Sequence, residues 1–214
     1  MALPLDYQYV VVEGNIGSGK TTLSKMLADT YDTRLMLEEF KDNPFLPKFY
    51  DSPKRYGFPL ELSFLAERYH QKRNELNRTD LFKPSIISDY SFAKSLVFAK
   101  INLDDDEFQL YQSLFKIIHG RLPKPDLLVY LHCSAEKSKK QITKRGREYE
   151  QEISLHYLQS INDGYMTFFK QQKGRIVIID TENLDFVKNQ SDYRTIKNII
   201  ETQHRVGLTI IDSF

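Results

Sequence analysis

A glycine-rich loop that ends in a lysine and two threonines is the stretch of this sequence best suited to chemistry. Residues 14–21 fit the pattern G-x-x-x-x-G-K-[ST]; an apolar run at residues 9–13 precedes them and an apolar helical stripe begins at Leu23. In a loop between a strand and a helix, backbone N–H groups and the helix N-terminus bind phosphate oxygens. Lys20 would reach the β- and γ-phosphates, and Thr21 would bind Mg²⁺. The predicted contacts to a nucleoside triphosphate are Gly14, Asn15, Ile16, Gly17, Ser18, Gly19, Lys20, Thr21 and Thr22.

Charged residues at three other places could act on the same phosphates. Glu38 ends an apolar run, where it could take the proton of an attacking hydroxyl or simply be a solvated acid. Asp89 ends another, where it could hold Mg²⁺, cap the next helix, or do both. Residues 144–147 place two arginines around a glycine, which favours a mobile lid over a solvated helix end.

The elements that must position these residues alternate between short apolar runs and helical patterns. Five strands are predicted, at residues 9–13, 34–38, 85–89, 126–132 and 175–180, and prolines break residues 39–60 into short helices and turns. Helices are predicted at residues 19–31, 60–76, 92–99, 107–119, 134–145, 154–171 and 192–203. Strands separated by helices are parallel, so we expect an α/β three-layer sandwich with a five-stranded parallel sheet. Residues 13–14, Glu38, Asp89 and the segment 133–150 would then lie together at the carboxyl ends of the strands of this sheet.

Composition narrows the class of protein. The 214 residues suit a single domain, and the net charge of +1 gives no reason to expect a nucleic-acid or membrane partner. No apolar stretch approaches the roughly 18 residues of a membrane span, and the first seven residues lack the pattern of a secretion signal. Cys133 is the only cysteine, which excludes an intramolecular disulfide and a zinc-finger site. A cytoplasmic enzyme is the expectation.

Several blocks of the sequence, in order and spacing, resemble one family. They are EGNIGSGKTT at 13–22, DNPFLPKFY at 42–50, PKRYGFPLE at 53–61, PDLLVYL at 125–131 and RGREYEQ at 145–151. Together they are similar to bacterial deoxynucleoside kinases of the deoxyadenosine/deoxyguanosine kinase type, over nearly the whole chain to about residue 190. The resemblance implies one P-loop kinase domain over residues 1–214 with a lid at about 144–151.

The resemblance also implies a reaction and roles for individual residues. It would be transfer of the γ-phosphoryl group of ATP, with Mg²⁺, to the 5′-hydroxyl of a small-molecule deoxynucleoside. Glu38 would be the general base, and Tyr50 and Glu150 would hold the 3′-hydroxyl of the sugar. Arg145 and Arg147 would form the lid. A homodimer is implied too, and the helices at 92–99 and 107–119 carry more apolar surface than one sheet face requires.

Two positions near the phosphates depart from the family pattern. The family usually has Asp/Glu-Arg-Ser after the third strand, where this chain has Asp89 followed by Tyr90, and relatives often carry arginine at the position of Gln141. A lost cation beside developing negative charge could raise the barrier by a few kcal/mol. Lys94 or the lid could supply the missing charge.

A third departure concerns the base of the nucleoside. Glu61 stands where the family usually has a glutamine, and Ser95 where many relatives have an aspartate. An ionised carboxylate only accepts hydrogen bonds, which matches N1–H and the 2-amino group of guanine but not N1 of adenine. Arg68, two helical turns on, could meet O6 or N7. We therefore expect guanine-type specificity, with deoxyguanosine first; the alternative is a Glu61–Arg68 ion pair that shapes a polar wall.

Two other functions remain open at this level. The absence of the family's arginines at the positions of Tyr90 and Gln141 would also fit a nucleotide-binding paralogue with little catalysis. A pterin alcohol shares the amino-pyrimidinone edge of guanine, so a P-loop kinase of such a molecule is the other alternative.

Overall fold

The structure, a computed structural model, describes residues 7–39, 43–76, 82, 85–120 and 122–212. Six parallel strands form its one sheet within these residues, in the order β2-β3-β1-β4-β5-β6. The strands are β1 Tyr9–Gly14, β2 Arg34–Met36, β3 Ile86–Ser88, β4 Leu127–His132, β5 Arg175–Asp180 and β6 Gly207–Ile211. The helices are α1 Lys20–Tyr31, α2 Phe45–Asp51, α3 Pro53–Leu76, α4 Lys94–Asn102, α5 Asp105–His119, α6 Ala135–Arg145, α7 Leu155–Lys170 and α8 Gln190–Glu201.

Alternate strand residues face opposite sides of the sheet, and each side has its own apolar core. Val10 and Val12 of β1 pack in one cluster with helices α1 and α8. Val11, from the same strand, packs in a second cluster with α4 and α7. Since strand side chains alternate between faces, a central strand that is buried on both sides is apolar at most of its positions. This confirms the predicted three-layer α/β sandwich.

The number of strands was underestimated. The apolar residues after Arg205, which are not among the five predicted strands, form β6 and pair with β5 from Arg175↔Gly207 to Ile179↔Ile211. As an edge strand, β6 is only partly buried, and Ile210 is 48% exposed. A short, half-exposed strand at the end of a chain lacks the flanking elements that identified the other five.

The break expected at the last of four prolines was wrong. Pro59 lies inside α3, which begins at Pro53 and runs on to Leu76. An interior proline removes a hydrogen bond and costs about 3 kcal/mol. Burial of Leu60, Phe64 and Leu65 just beyond it offsets this cost, since each large apolar side chain contributes about 1.5–3 kcal/mol. The helix therefore continues because its later turns are anchored in the core.

Two sequence-based expectations fall partly outside the described residues. Residues 1–6, which make up most of the segment in which no secretion signal was expected, lie outside the described residues. Residues 40–42 of the proline-rich stretch lie outside them too. No helix within the described ranges has both the length and the apolar character needed to cross a bilayer.

Candidate active site

A cavity of about 630 Å³ opens at the carboxyl edge of the sheet. This volume lies in the range of small-ligand sites, which are usually lined by apolar walls and a few convergent polar groups. Most of the residues predicted to bind or react line this cavity, together with apolar side chains from α2, α3 and α4. Its predicted members are Ile16, Gly17, Gly19, Lys20, Thr21, Thr22, Glu38, Tyr50, Glu61, Arg68, Asp89, Arg145, Arg147 and Glu150.

The P-loop is held tightly against its neighbours. Gly17 and Gly19 have φ angles of 83° and 88°, a conformation that favours glycine. A Cβ atom on Gly17 would lie 2.5 Å from the Ser138 carbonyl oxygen, and one on Gly19 would lie 2.8 Å from the Phe186 ring. Both glycines are therefore needed for the turn and for close packing against α6 and the loop after β5.

Three predicted phosphate contacts do not line the cavity. Gly14, Asn15 and Ser18 are buried, and the Asn15 side chain donates to Asn162 Oδ1 at 2.7 Å and to the Leu158 carbonyl at 2.8 Å. That side chain thus ties the loop to α7. Glu13, expected at the same edge, is also buried and accepts hydrogen bonds from Ser91 N and the Tyr165 hydroxyl.

Lys20 lies inside the site. Its Nζ donates to the Asn15 carbonyl oxygen at 3.2 Å. Burial, followed by the charge of Lys94, lowers the pKa of Lys20 to about 8, against partial compensation by nearby carboxylates. Two lysine ammonium groups therefore share the phosphate end of the cavity, which makes it a site for an anion.

Asp89 joins the P-loop to the strand beside it. Its Oδ2 accepts a hydrogen bond from Thr21 Oγ1 at 2.5 Å, and its Oδ1 accepts one from the Glu38 backbone N–H at 2.7 Å. The same carboxylate thus fixes the Thr21 hydroxyl and the position of Glu38.

Glu38 is the carboxylate most strongly bound in the cavity. Its Oε1 accepts from Arg68 Nε at 2.8 Å and its Oε2 from Lys94 Nζ at 2.6 Å, with 8% of the side chain exposed. Burial alone would raise the pKa of Glu38, but the charges of Lys94 and Arg68 outweigh it and hold that pKa well below its usual range. Glu38 is therefore ionised at neutral pH. Neighbouring Glu39 is exposed and does not line the cavity, which distinguishes two residues that the sequence left ambiguous.

Glu61 has one oxygen paired and one unpaired. Its Oε1 accepts from Asn102 Nδ2 at 2.6 Å, whereas its buried Oε2 has no hydrogen-bond partner among the described residues. Arg68 bonds Glu38 and Ser95 instead, so the Glu61–Arg68 ion pair considered as an alternative is not formed. Burial raises the pKa of Glu61 to about 7, although Arg68 and the Asn102 amide act in the opposite direction.

Residues of the predicted lid line the cavity. Arg145 and Arg147 both pair with Glu150, the latter through Nη1 at 3.1 Å, and all three line the cavity. The Tyr50 ring stacks on Tyr149 at 6.0 Å between centroids. The residues expected to hold the sugar therefore lie directly against those expected to clamp the phosphates.

Sequence reasoning missed several polar members of the site, among them two that lie near Glu61. Asn102, at the end of α4, and Tyr157, on α7, both line the cavity, and the Tyr157 hydroxyl donates to Asn102 Oδ1 at 2.9 Å. No motif marks either residue, since both belong to ordinary helical patterns. Only the tertiary fold brings α4 and α7 to Glu61.

Tyr90, the main departure near the phosphates, points away from the cavity. It is fully buried, its hydroxyl donates to Gln71 Oε1 at 2.6 Å, and its ring lies 4.0 Å from Lys72 Nζ. Lys72 is also buried and donates to the Tyr9 hydroxyl and the Tyr90 carbonyl oxygen. Gln141, the second departure, does line the cavity.

The buried Lys72 predicts a pH dependence of stability. Burial lowers the pKa of Lys72 to about 7, so above that pH the unfolded chain binds more protons and folding stability rises up to the ordinary lysine pKa of about 10.4. Lys72→Met removes this titration. Urea unfolding at pH 7, 8.5 and 10 would give the free energy of unfolding of each protein. The value for wild type minus the value for the variant should increase with pH, by at most about 1.4 kcal/mol per pH unit. A difference that does not change with pH would contradict this.

Comparisons with known proteins find relatives over most of this chain. The sequence model of the family "Deoxynucleoside kinase" matches residues 10–204. A deoxyguanosine kinase of Bacillus subtilis is 33% identical over 193 residues, which cover 88% of this chain and 93% of that protein. A deoxyadenosine kinase of Dictyostelium discoideum is 33% identical over 195 residues, covering 90% of this chain and 79% of the relative.

Solved structures show the same fold. The structure of deoxyadenosine kinase from M. mycoides with bound dATP superposes with a TM-score of 0.78 at 23% identity, covering 91% of this chain and all of that one. The resemblance seen in the sequence motifs is thereby confirmed. The chain belongs to the deoxynucleoside kinase family, whose members are ATP-dependent phosphotransferases.

Proposed function

We propose that this protein transfers the γ-phosphoryl group of ATP to the 5′-hydroxyl of a purine deoxynucleoside, with deoxyguanosine preferred. One observation carries the proposal: the ionised Glu38, Lys20 of the P-loop and Glu61, one oxygen of which has no partner among the described residues, all line one cavity. The first two suit phosphoryl transfer to a hydroxyl, and the third suits recognition of a base.

The groups that this chemistry needs line one cavity. The 5′-oxygen attacks the γ-phosphorus, its proton passes to Glu38, and the bond to the bridging oxygen breaks with ADP as the leaving group. Because such transition states are loose, an ionised carboxylate of low pKa can orient the hydroxyl and accept the proton late. Lys20, Arg145 and Arg147 supply positive charge around the transferring group.

Thr21 and Asp89 are the residues that would hold Mg²⁺. Their side-chain oxygens meet at 2.5 Å beside the start of α1, and oxygen donors are what this ion prefers. The described residues contain no cluster of three or more metal-ligating side chains, which suits an ion that takes its other ligands from phosphates and water. Bound there, Mg²⁺ would neutralise charge on the β- and γ-phosphates.

The base preference rests on the acceptors of Glu61. Its free Oε2 and the second lone pair of Oε1 can accept from N1–H and the 2-amino group of guanine. A buried acceptor without a partner costs about 1–3 kcal/mol, and a bound guanine would satisfy it. Adenine offers an acceptor at N1 and would leave the carboxylate unsatisfied.

The remaining assignments complete the proposal. Tyr50 and Glu150 would hold the 3′-hydroxyl of the sugar, and residues 144–151 would serve as the lid of a single P-loop kinase domain spanning the chain. A cytoplasmic homodimer is part of the proposal. Leu110 and Ile117, two turns apart on α5, are 54% and 65% exposed, which is apolar surface that a second copy could cover. Sedimentation equilibrium would measure the state of assembly.

Transfer of labelled phosphate from ATP tests the proposed acceptor. Deoxyguanosine, deoxyadenosine, deoxycytidine and a pterin alcohol are compared at equal concentration. Product with deoxyguanosine at the highest kcat/KM is expected. Equal rates for guanine and adenine would remove the base preference. Product with the pterin alcohol alone would favour a P-loop kinase of such a molecule. ATP binding without any product would favour a nucleotide-binding paralogue with little catalysis.

A further inference from the structure

We infer that Lys94 is a catalytic residue of this phosphoryl transfer, and that its ammonium group moves from Glu38 to the transferring phosphoryl group as the reaction proceeds. This inference rests on the proposed function. It assigns a role to a lysine that no P-loop or lid pattern in the sequence marks.

Lys94 is held firmly at the phosphate end of the cavity. It begins α4, and its backbone N–H donates to Ser91 Oγ at 3.2 Å, while Ser91 N donates to the buried Glu13. The residue is 7% exposed, and its Nζ lies 5.3 Å from the centre of the Phe98 ring. The backbone of Lys94 is thus fixed at the start of α4, while its side chain lines the cavity.

The environment of Nζ points to an anionic partner beyond Glu38. Among the described residues its one ion pair is with Glu38, at 2.6 Å, which uses one of its three N–H donors. Lys20 of the P-loop lines the same cavity as Lys94, so two ammonium groups face one space. Two lysines that repel each other in the free protein are both stabilised when a polyphosphate binds between them.

Arg68, the other cation on Glu38, is less suited to this role. Its guanidinium donates to Glu38 through Nε and lies 2.7 Å from the same oxygen through Nη2, while Nη1 donates to Ser95 at 2.9 Å. It also stacks at 4.7 Å on the Phe64 ring. Arg68 is thus fixed on several sides as a support for Glu38, whereas Lys94 has donors to spare.

The exchange of partners follows from charge. When the 5′-oxygen bonds to the γ-phosphorus, its proton goes to Glu38, and the electron pair of the broken phosphorus–oxygen bond leaves with ADP. Glu38 is then neutral and no longer attracts Lys94, while negative charge remains on the transferred group. The ammonium group of Lys94 therefore moves from Glu38 to the transferred phosphoryl group. Because Glu38 is a stronger base once Lys94 has left it, this movement favours the proton transfer.

Variants at Lys94 and at Lys100, an exposed lysine of the same helix, test the inference. With deoxyguanosine and ATP, Lys94→Met should lower kcat by about 100-fold, within the range for removing one donor to a developing oxyanion, with KM for ATP changed by less than about threefold. Lys94→Arg should retain more activity than Lys94→Met. Lys94→Ala should regain activity when methylammonium or ethylammonium is added, which a purely structural residue would not show. Lys100→Met is expected to match wild type.

Each other outcome has a definite meaning. A kcat for Lys94→Met within threefold of wild type would overturn the inference. So would a loss of activity in a folded Lys94→Ala that no amine restores. If Lys94→Met does not fold, as circular dichroism would show, Lys94→Arg and amine rescue of Lys94→Ala decide. Absence of phosphorylated deoxynucleoside with wild type would instead overturn the proposed function.

Discussion

Replacing Glu38 with glutamine is expected to lower kcat for deoxynucleoside phosphorylation by about 10³-fold, the middle of the range for loss of a general base. Glutamine keeps the shape of the side chain but cannot take up the proton of the 5′-hydroxyl. ATP should still bind, because Lys20 and the P-loop glycines are untouched. Steady-state kinetics, together with a direct ATP-binding measurement, would separate the two effects.

Glu39→Gln is the matched control for Glu38→Gln. Both variants remove one negative charge at adjacent positions, but Glu39 is exposed and outside the cavity. Its kcat should stay within about twofold of wild type. Equal activity in the two variants would remove Glu38 from the mechanism and leave only nucleotide binding by the loop.

Glu38→Gln also has an expected effect on stability that must be kept apart from catalysis. Glu38 is the anionic partner of both Arg68 and Lys94, which are nearly fully buried. Breaking a buried ion pair costs about 3–5 kcal/mol, so the unfolding temperature should fall. Glu38→Asp retains the charge and should lose less stability, yet it should still lose activity because its carboxylate is one methylene further from the substrate.

The fold was largely predictable because its main determinants are local. Apolar runs such as that of β4 are buried on both faces, and the strand–loop–helix at residues 9–31 has a glycine pattern with one structural interpretation. The two errors have a common cause. Both β6 and the passage of α3 through Pro59 depend on contacts with distant parts of the chain, which outweigh local preference.

The candidate site was predictable in its members but not in its pairings. The motifs named Glu38, Glu61 and Arg68, but they could not show that Arg68 binds Glu38 rather than Glu61. Such partners come from α3, α4 and the strand edge, and they meet only when these elements pack. The position of Asn102 beside Glu61 is hidden for the same reason.

The packing also explains how charge is balanced without the usual aspartate. Ser95 accepts one hydrogen bond from Arg68 but carries no charge, so the carboxylates of Glu38 and Glu61 are what balance Arg68 and Lys94. Glu61 thus lies close enough to Arg68 and Lys94 for their charges to lower its pKa against the effect of burial. A change at Glu61 should therefore alter the base preference more than any other single substitution.

Replacing Glu61 with glutamine is expected to shift the ratio of kcat/KM for deoxyguanosine to that for deoxyadenosine by about 10³-fold towards adenine. Glutamine offers one donor and one acceptor, which suit N1 and the 6-amino group of adenine and leave a donor facing N1–H of guanine. The hydrogen-bonded pair lost with guanine and the pair gained with adenine are each worth about 1–3 kcal/mol. Both changes shift the ratio in the same direction, so their energies add. Glu67→Gln, an exposed change on the same helix that lies outside the cavity, should leave the ratio unaltered.

The pH dependence of the same ratio distinguishes recognition by Glu61 from a change in pocket shape. Burial raises the pKa of Glu61 to about 7, with Arg68 and Lys94 lowering it and Glu38 raising it. Below that pH the protonated acid offers a donor and an acceptor, like glutamine; above it the carboxylate offers acceptors only. Wild type should therefore favour deoxyguanosine over deoxyadenosine increasingly from pH 6 to pH 8, whereas Glu61→Gln should show a flat ratio. Parallel pH profiles for the two proteins would mean that Glu61 does not read the base by its protonation state.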